Sequence, residues 1–198
     1  KPSIFGDLSL APLDDGPGQD TPAPKGFGTL TLEGEEPRLG AGAAHVDGAL
    51  VVLAGLGGPD AVRQLLAALP ENLPVPVLLH QHLETGKHDR LVGQLAKASR
   101  LPVDLAEAGK MAPAGRVAVL VPGLGLHHGH TGLRFEATGG IDGLLAALPP
   151  ASTTVLVLSG TPTALVPAVL KLQAGGARVM AQDPASCFDP AASDAAIA

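Results

Sequence analysis

The sequence predicts an α/β fold: a doubly wound, mainly parallel sheet flanked by helices, with a small antiparallel excursion. Three observations carry that prediction. From residue 48 onward, short aliphatic runs recur that are too apolar to leave one face wet, as strands covered on both faces must be. Stretches with apolar residues at helical spacing alternate with these runs. Glycine and proline punctuate the boundaries, with 26 Gly and 19 Pro in 198 residues.

The elements follow in order. Ala49–Ala54 (ALVVLA) reads as the first strand, and after Gly55-Leu56-Gly57-Gly58 a helix begins with Pro59 in its first turn and runs to Pro70. Pro76–His80 is a second apolar run, leading through Gln81–Gly86 into a helix from His88 to Ser99 with Leu91, Val92, Leu95 and Ala98 at helical spacing. Val117–Val121, Thr153–Leu158 and Ala177–Ala181 read as further strands. Helices over Ile141–Leu148 and Ala164–Ala174 lie between them, the second ended by Gly175-Gly176. Gly132–Ala137 alternates apolar and polar residues, which suits an antiparallel or edge strand on one side of the sheet.

Residues 1–46 read as an acidic, Pro/Gly-rich linker, because runs such as Asp14-Asp15-Gly16-Pro17-Gly18 hold too few large apolar side chains to offset the entropy of ordering. They carry seven acidic and three basic residues, against twelve and ten in the expected folded domain at 47–198, so most of the net charge of −6 belongs to the linker. Within it, Thr29-Leu30-Thr31-Leu32 has strand period. Residue 1 is Lys and no signal-peptide pattern follows, so the chain reads as cut from a longer protein.

Composition excludes several function classes. An acidic chain with 2% aromatic residues and neither Trp nor Tyr has no basic groove or stacking platform for nucleic acid. No apolar run approaches the ~20 residues of a membrane span, and the single Cys187 forms no internal disulfide; a cytoplasmic protein is expected. Cys187 itself reads as a small packed residue.

Chemistry in such a sheet belongs at the carboxyl ends of the strands, in Gly55–Gly58, Gln81–Lys87, Pro122–His130 and Ser159–Thr163. Gly55–Gly58 lacks the full G-x-G-x-x-G spacing and any Walker lysine, so on these residues alone it is a tight turn, with an anion cradle as the competing reading. Seven His raise a metal hypothesis, but no H-E-x-x-H or C-x-x-C supports them, and neither metal nor cofactor is expected. His127, His128 and His130 read as exposed loop histidines and His80 as a histidine on a sheet face. His82 falls at a strand end, where a general base would stand. Ser159-Gly160 is the one hydroxyl–Gly pair at a comparable position, and its simplest reading is a polar residue closing a strand.

Taken together, Ala49–Val62, Pro76–Glu84, Leu91–Val103, Ala106–Gly123 and Gly175–Cys187 resemble the catalytic domain of CheB, the chemotaxis protein-glutamate methylesterase, over roughly residues 48–188. The resemblance implies a Ser-His-Asp hydrolase on a doubly wound sheet that demethylates receptor glutamates, with a receiver domain usually placed upstream. The family's G-A-S-T-G-G-P is matched by Leu53-Ala54-Gly55-Leu56-Gly57-Gly58-Pro59, which places Gly55 at the nucleophile's position. Its Q-H-M-P becomes Gln81-His82-Leu83-Glu84, which keeps the histidine as His82. Its L-T-G-M-G-x-D-G becomes Leu158–Leu165, where the aspartate falls at Thr163 or Ala164 and the methionine at Thr161. The family's V-x-G-M-P gives way to Phe188-Asp189-Pro190-Ala191. Gly55 has no side chain to attack an ester, and His82 has lost the carboxylate that would orient it. The expectation is a pseudo-methylesterase whose altered cleft, with Leu56, Gly57, Gly58, Gln81, Gly160 and Thr161 among its loop residues, serves as an interaction or regulatory module. The implied partner is a chemosensory receptor, receiver or kinase component. Two alternatives stand beside it: an active hydrolase with Ser159 as nucleophile, His82 as base and Asp183 or Asp142 as orienter, and a small-molecule binding domain.

Overall fold

The computed structural model describes residues 48–83 and 87–197. The linker expected at 1–46, with Thr29–Leu32, lies outside the described residues, as does Glu84. The elements are β1 (Leu50–Ala54), α1 (Gly58–Ala68), β2 (Val77–Gln81), α2 (His88–Leu95), β3 (Val103–Leu105), β4 (Val117–Val119), β5 (Gly125–Gly129), β6 (Gly132–Glu136), α3 (Gly140–Ala147), β7 (Thr154–Val157), α4 (Val166–Ala174), β8 (Arg178–Ala181) and α5 (Ala191–Ile197).

Six strands form one sheet in the order β3-β4-β2-β1-β7-β8, every pairing parallel. β1 lies between β2 and β7, with Val52 opposite Leu79 on one side and Leu156 on the other. Its apolar run alternates between two cores. Val51 and Leu53 pack with Leu78, Val155, Val157 and the apolar sides of α3, α4 and α5, whereas Val52 and Ala54 pack with Leu79, Val117 and the Val62, Leu66, Leu91 and Leu95 faces of α1 and α2. Covering on both faces explains why these strands carry no polar alternation.

The winding sets the position of any site. The helix that follows β1 covers one face of the sheet and the helix that follows β7 covers the other, so the connections diverge between these two neighbours. That divergence is the switch point, where an open α/β sheet leaves a crevice outside its strand ends.

Several boundaries differ from the sequence reading. α2 stops at Leu95 rather than Ser99, because the Ser99 hydroxyl turns onto the Leu101 backbone, donating to its carbonyl (2.8 Å) and accepting from its N–H (3.0 Å). The helix expected from Ala164 opens with a 3₁₀ turn at Thr163–Leu165 and becomes α-helical at Val166, where Pro167 occupies its first turn. At its end Gly176 takes φ 105° and Ala177 N–H reaches back to the Leu172 carbonyl, the expected glycine cap. Gly132–Glu136 is antiparallel as expected, but its partner β5 contains His127 and His128, which were read as loop residues. They are exposed, as expected, on a strand whose Leu126 is buried opposite Phe135. β3 and α5 had no sequence prediction. β3 has three residues, too few to show a period, and α5 is alanine-rich.

Among the described residues, no helix is long and apolar enough to cross a membrane. Leu78 is fully buried on a central strand and in the larger core. Leu78→Ala is expected to lower unfolding stability by about 2–5 kcal/mol in urea titration; a change under about 1 kcal/mol would show that the site collapses to fill the void.

Candidate functional site

At the switch point the loops after β1 and β7 meet backbone to backbone. The Gly55 N–H donates to the Ser159 carbonyl (3.0 Å), and the Gly55 carbonyl accepts from Gly58 N–H (3.0 Å) and from Gln81 Nε2 (2.8 Å). A Cβ on Gly55 would lie 1.7 Å from the Gly160 carbonyl oxygen. Gly160 is at φ 71°, and a Cβ there would lie 2.1 Å from the Leu56 nitrogen. Both positions therefore require glycine, the first for space and the second for space and conformation. The loop that would carry a nucleophile is pressed against its neighbour along its main chain.

Ser159 holds this contact together. Only 1% exposed, its Oγ donates to the Leu56 carbonyl (3.0 Å) and accepts from the N–H groups of Phe188 and Asp189 (3.1 Å each). Its own N–H donates to Gln182 Oε1 (3.0 Å), while Gly160 N–H donates to the Asp189 carbonyl (3.0 Å). The segment Phe188-Asp189 is thus strapped across the strand ends. Thr161 is also buried, with its hydroxyl within reach of the Leu53 (2.8 Å) and Leu158 (2.7 Å) carbonyls. Cys187 is half-buried beside Ser193 Oγ (3.7 Å) and the Asp183 carbonyl (3.5 Å).

The open volume lies elsewhere. A cleft of about 500 Å³ sits over the carboxyl ends of β2 and β4, bounded by the first turn of α3 and by Pro162 and Leu165. His80, on β2, and His82, just past the end of that strand, share its wall with Gln81 between them. His88, buried at the start of α2, and Asp142, in the first turn of α3, complete its ionisable lining. Leu83, Leu120, Val121, Leu124 and Ile141 make the rest apolar. Burial, then the neighbouring His82 and His88, lower the pKa of His80 below its ordinary 6.5, with Asp142 acting weakly in the opposite direction. Among the described residues no group of three His, Cys, Asp or Glu is placed to hold a metal ion.

The structure brings together only some of the residues singled out in the sequence. His82, Gln81 and Asp142 line the cleft. Gly55, Leu56, Gly57, Gly58, Ser159 and Gly160 belong to the closed contact, and Ser159 is not among the residues lining the cleft that holds His82. Asp183 accepts from Ala185 N–H (3.0 Å) at a 3₁₀ turn, away from the cleft lining. Thr163 and Ala164 are exposed on the 3₁₀ turn before α4. His88 escaped notice as a site residue because it reads as the opening of a helix; its one signal is a third histidine just beyond the His80–His82 loop.

An all-parallel six-stranded sheet covered by helices on both faces, with an antiparallel hairpin inserted between β4 and β7, defines a doubly wound α/β domain. The chain belongs to the CheB methylesterase family, whose model matches residues 50–198. It is 32% identical over 150 residues to protein-glutamate methylesterase/protein-glutamine glutaminase 3 of Anaeromyxobacter dehalogenans, covering 70% of this chain and 44% of that one. It is 34% identical over 152 residues to protein-glutamate methylesterase/protein-glutamine glutaminase 4 of Myxococcus xanthus, covering 70% and 42%. The chain therefore spans less than half the length of these curated relatives. The fold matches the Thermotoga maritima CheB methylesterase catalytic domain with a TM-score of 0.69 and 24% identity, over 76% of this chain and 87% of that one.

Two outcomes are expected. Ser159→Ala removes the acceptor of two amides and the donor to one carbonyl, and should cost about 1–3 kcal/mol in urea unfolding; unchanged stability would mean that the strap does not depend on this hydroxyl. Because His80 is held below 6.5 when folded, the unfolded chain takes up this proton first, so stability falls as pH drops through 6.5 and levels off once the folded site is protonated too. His80→Gln should flatten that part of the dependence of the urea midpoint between pH 7.5 and 5.5, and an identical slope in the variant would place the sensitivity in another group.

Proposed function

We propose that residues 47–198 are a CheB-type domain that has lost ester hydrolysis and acts as an interaction and regulatory module in bacterial chemosensory or motility signalling. Its partner is a receptor, receiver or kinase component, residues 1–46 serve as its acidic linker, and its compartment is the cytoplasm. The observation that carries this reading is steric. At the position aligned with the family's nucleophile, a Cβ would lie 1.7 Å from the Gly160 carbonyl oxygen, so no side chain that could attack an ester fits at Gly55 without moving the backbone.

The surroundings support the same reading. Neither Thr163 nor Ala164 offers a carboxylate to orient His82, and an imidazole without that partner is a poorly directed base. The rearranged triad with Ser159 is disfavoured because that hydroxyl is buried with three hydrogen-bond partners, and attack would require it to give them up. The second reading, binding of a small molecule, draws support from the cleft of about 500 Å³ beside His82, a volume within the usual range for ligand pockets.

The test is methanol release from methylated chemoreceptor of the same organism. The expected rate equals the blank for the wild-type chain, for His82→Ala and for Gly55→Ser, the last of which should also unfold at lower urea concentration. Release by the wild type that disappears in His82→Ala would establish a rebuilt active site and overturn the proposal.

A further inference from the structure

The cleft over the ends of β2 and β4 combines a carboxylate, an unpaired acceptor and an aliphatic wall. Asp142, in the first turn of α3, is the one carboxylate among its described lining residues, and neither Lys nor Arg borders it. Gln81, at the end of β2, also borders the cleft and is only 2% exposed. Its Nε2 is committed to the Gly55 carbonyl (2.8 Å), while its Oε1 is buried with no hydrogen-bond partner. Among the described residues no other buried side-chain nitrogen or oxygen is left in that condition. An orphaned acceptor costs more than a hydrogen bond contributes, so a donor that reaches it is favoured. Leu83, Leu120, Val121, Leu124, Ile141 and Leu165 supply the aliphatic wall.

We infer that this cleft binds a primary ammonium carried on a short aliphatic chain. A free alkylamine and the side chain of a lysine share that chemistry. The inference deepens the small-molecule reading of the cleft and rests on it. An ammonium brings three N–H donors and a compact positive charge, and its stem is apolar. Such a head meets both the Asp142 carboxylate and the Gln81 acceptor, and the stem lies against the leucines. A carboxylate head would bring a second negative charge beside Asp142 and no donor for Gln81; an alcohol would bring a donor but no charge. His80 does not oppose the cation. Its pKa is held below 6.5 by burial first and then by His82 and His88, so at pH 7.5 its ring is uncharged and offers a nitrogen as acceptor. The weak opposing effect of Asp142 on His80 places that carboxylate within electrostatic reach of the same wall.

Isothermal titration of the 198-residue chain at pH 7.5 with hexylamine, hexan-1-ol and hexanoate compares one chain length under a positive, a neutral and a negative head. Hexylamine, charged at this pH, is expected to bind about tenfold more tightly than hexanol, with hexanoate weakest. Asp142 is exposed, so Asp142→Asn should fold, weaken hexylamine by about three- to tenfold and leave hexanol within about twofold. Gln81→Met removes the unpaired acceptor at similar volume and should weaken hexylamine and hexanol alike; should this variant not fold, the Asp142→Asn comparison still decides the preference for charge. Nα-acetyl-lysine methylamide and its Nε-acetylated form separate the two sources of the head. Binding of the first and not the second assigns the cleft to a lysine side chain, and binding of hexylamine alone assigns it to free amines. Equal binding of hexylamine and hexanol, tighter binding of hexanoate, or an unchanged preference in Asp142→Asn would overturn the ammonium site while leaving a small-molecule cleft. No binding of any of the three at millimolar concentration would overturn the small-molecule reading with it, and neither result moves the methanol blank.

Discussion

The contact between the main chains of Gly55 and Gly160 is the constraint on which the rest of the site depends. Two neighbouring parallel strands end side by side, and in the usual α/β arrangement the space beyond them is left for a ligand because their connections run to opposite faces. Here the loops close that space with their own backbone, and a Cβ on either residue would overlap the other loop. The surrounding hydrogen bonds are consequences of this approach. Gln81 reaches across from β2 to the Gly55 carbonyl, Gln182 takes the Ser159 amide, and the Ser159 hydroxyl gathers Leu56, Phe188 and Asp189. Buried polar groups so closely paired are costly to release one at a time, which makes the closure cooperative. Leu56 and Phe188 are left on its outer surface, 67% and 75% exposed.

Closing one space leaves another defined. The first turn of α3 borders the cleft at the ends of β2 and β4, and His80, His82 and His88 are part of its polar wall. Partial burial lowers the pKa of His80, so its empty site favours the uncharged ring. The cleft is built at the ends of β2 and β4 and not on the loop after β1.

Much of the fold was legible because its strands are covered on both faces. Runs such as Leu50–Ala54 and Val77–Leu79 have no polar alternation, and the helices between them show their apolar residues at helical spacing, so both kinds of element announce themselves locally. The glycine cap at Gly175-Gly176 and the proline in the first turn of α1 were equally local signals. Legibility stopped where an element is short or takes its identity from a partner. β3 has three residues, and β5 reads as a polar loop until β6 pairs with it and buries Leu126 against Phe135.

The order of the main elements, the doubly wound class and the placing of Gly55 and His82 at strand ends were all present in the amino-acid sequence, since each depends on residue identity and spacing along the chain. Whether Ser159 is a free hydroxyl or a tie, whether Asp142 or Asp183 stands near the histidines, and where the open volume lies were decided only by tertiary structure. Those answers depend on residues distant in sequence: Ser159 meets Leu56, 103 positions away, and Asp142 reaches the cleft of His80 and His82 from a helix beyond the inserted hairpin. Local pattern carries no information about such approaches, because they are set by how two sheet faces, each with its own helices, leave or fill the space at the strand ends.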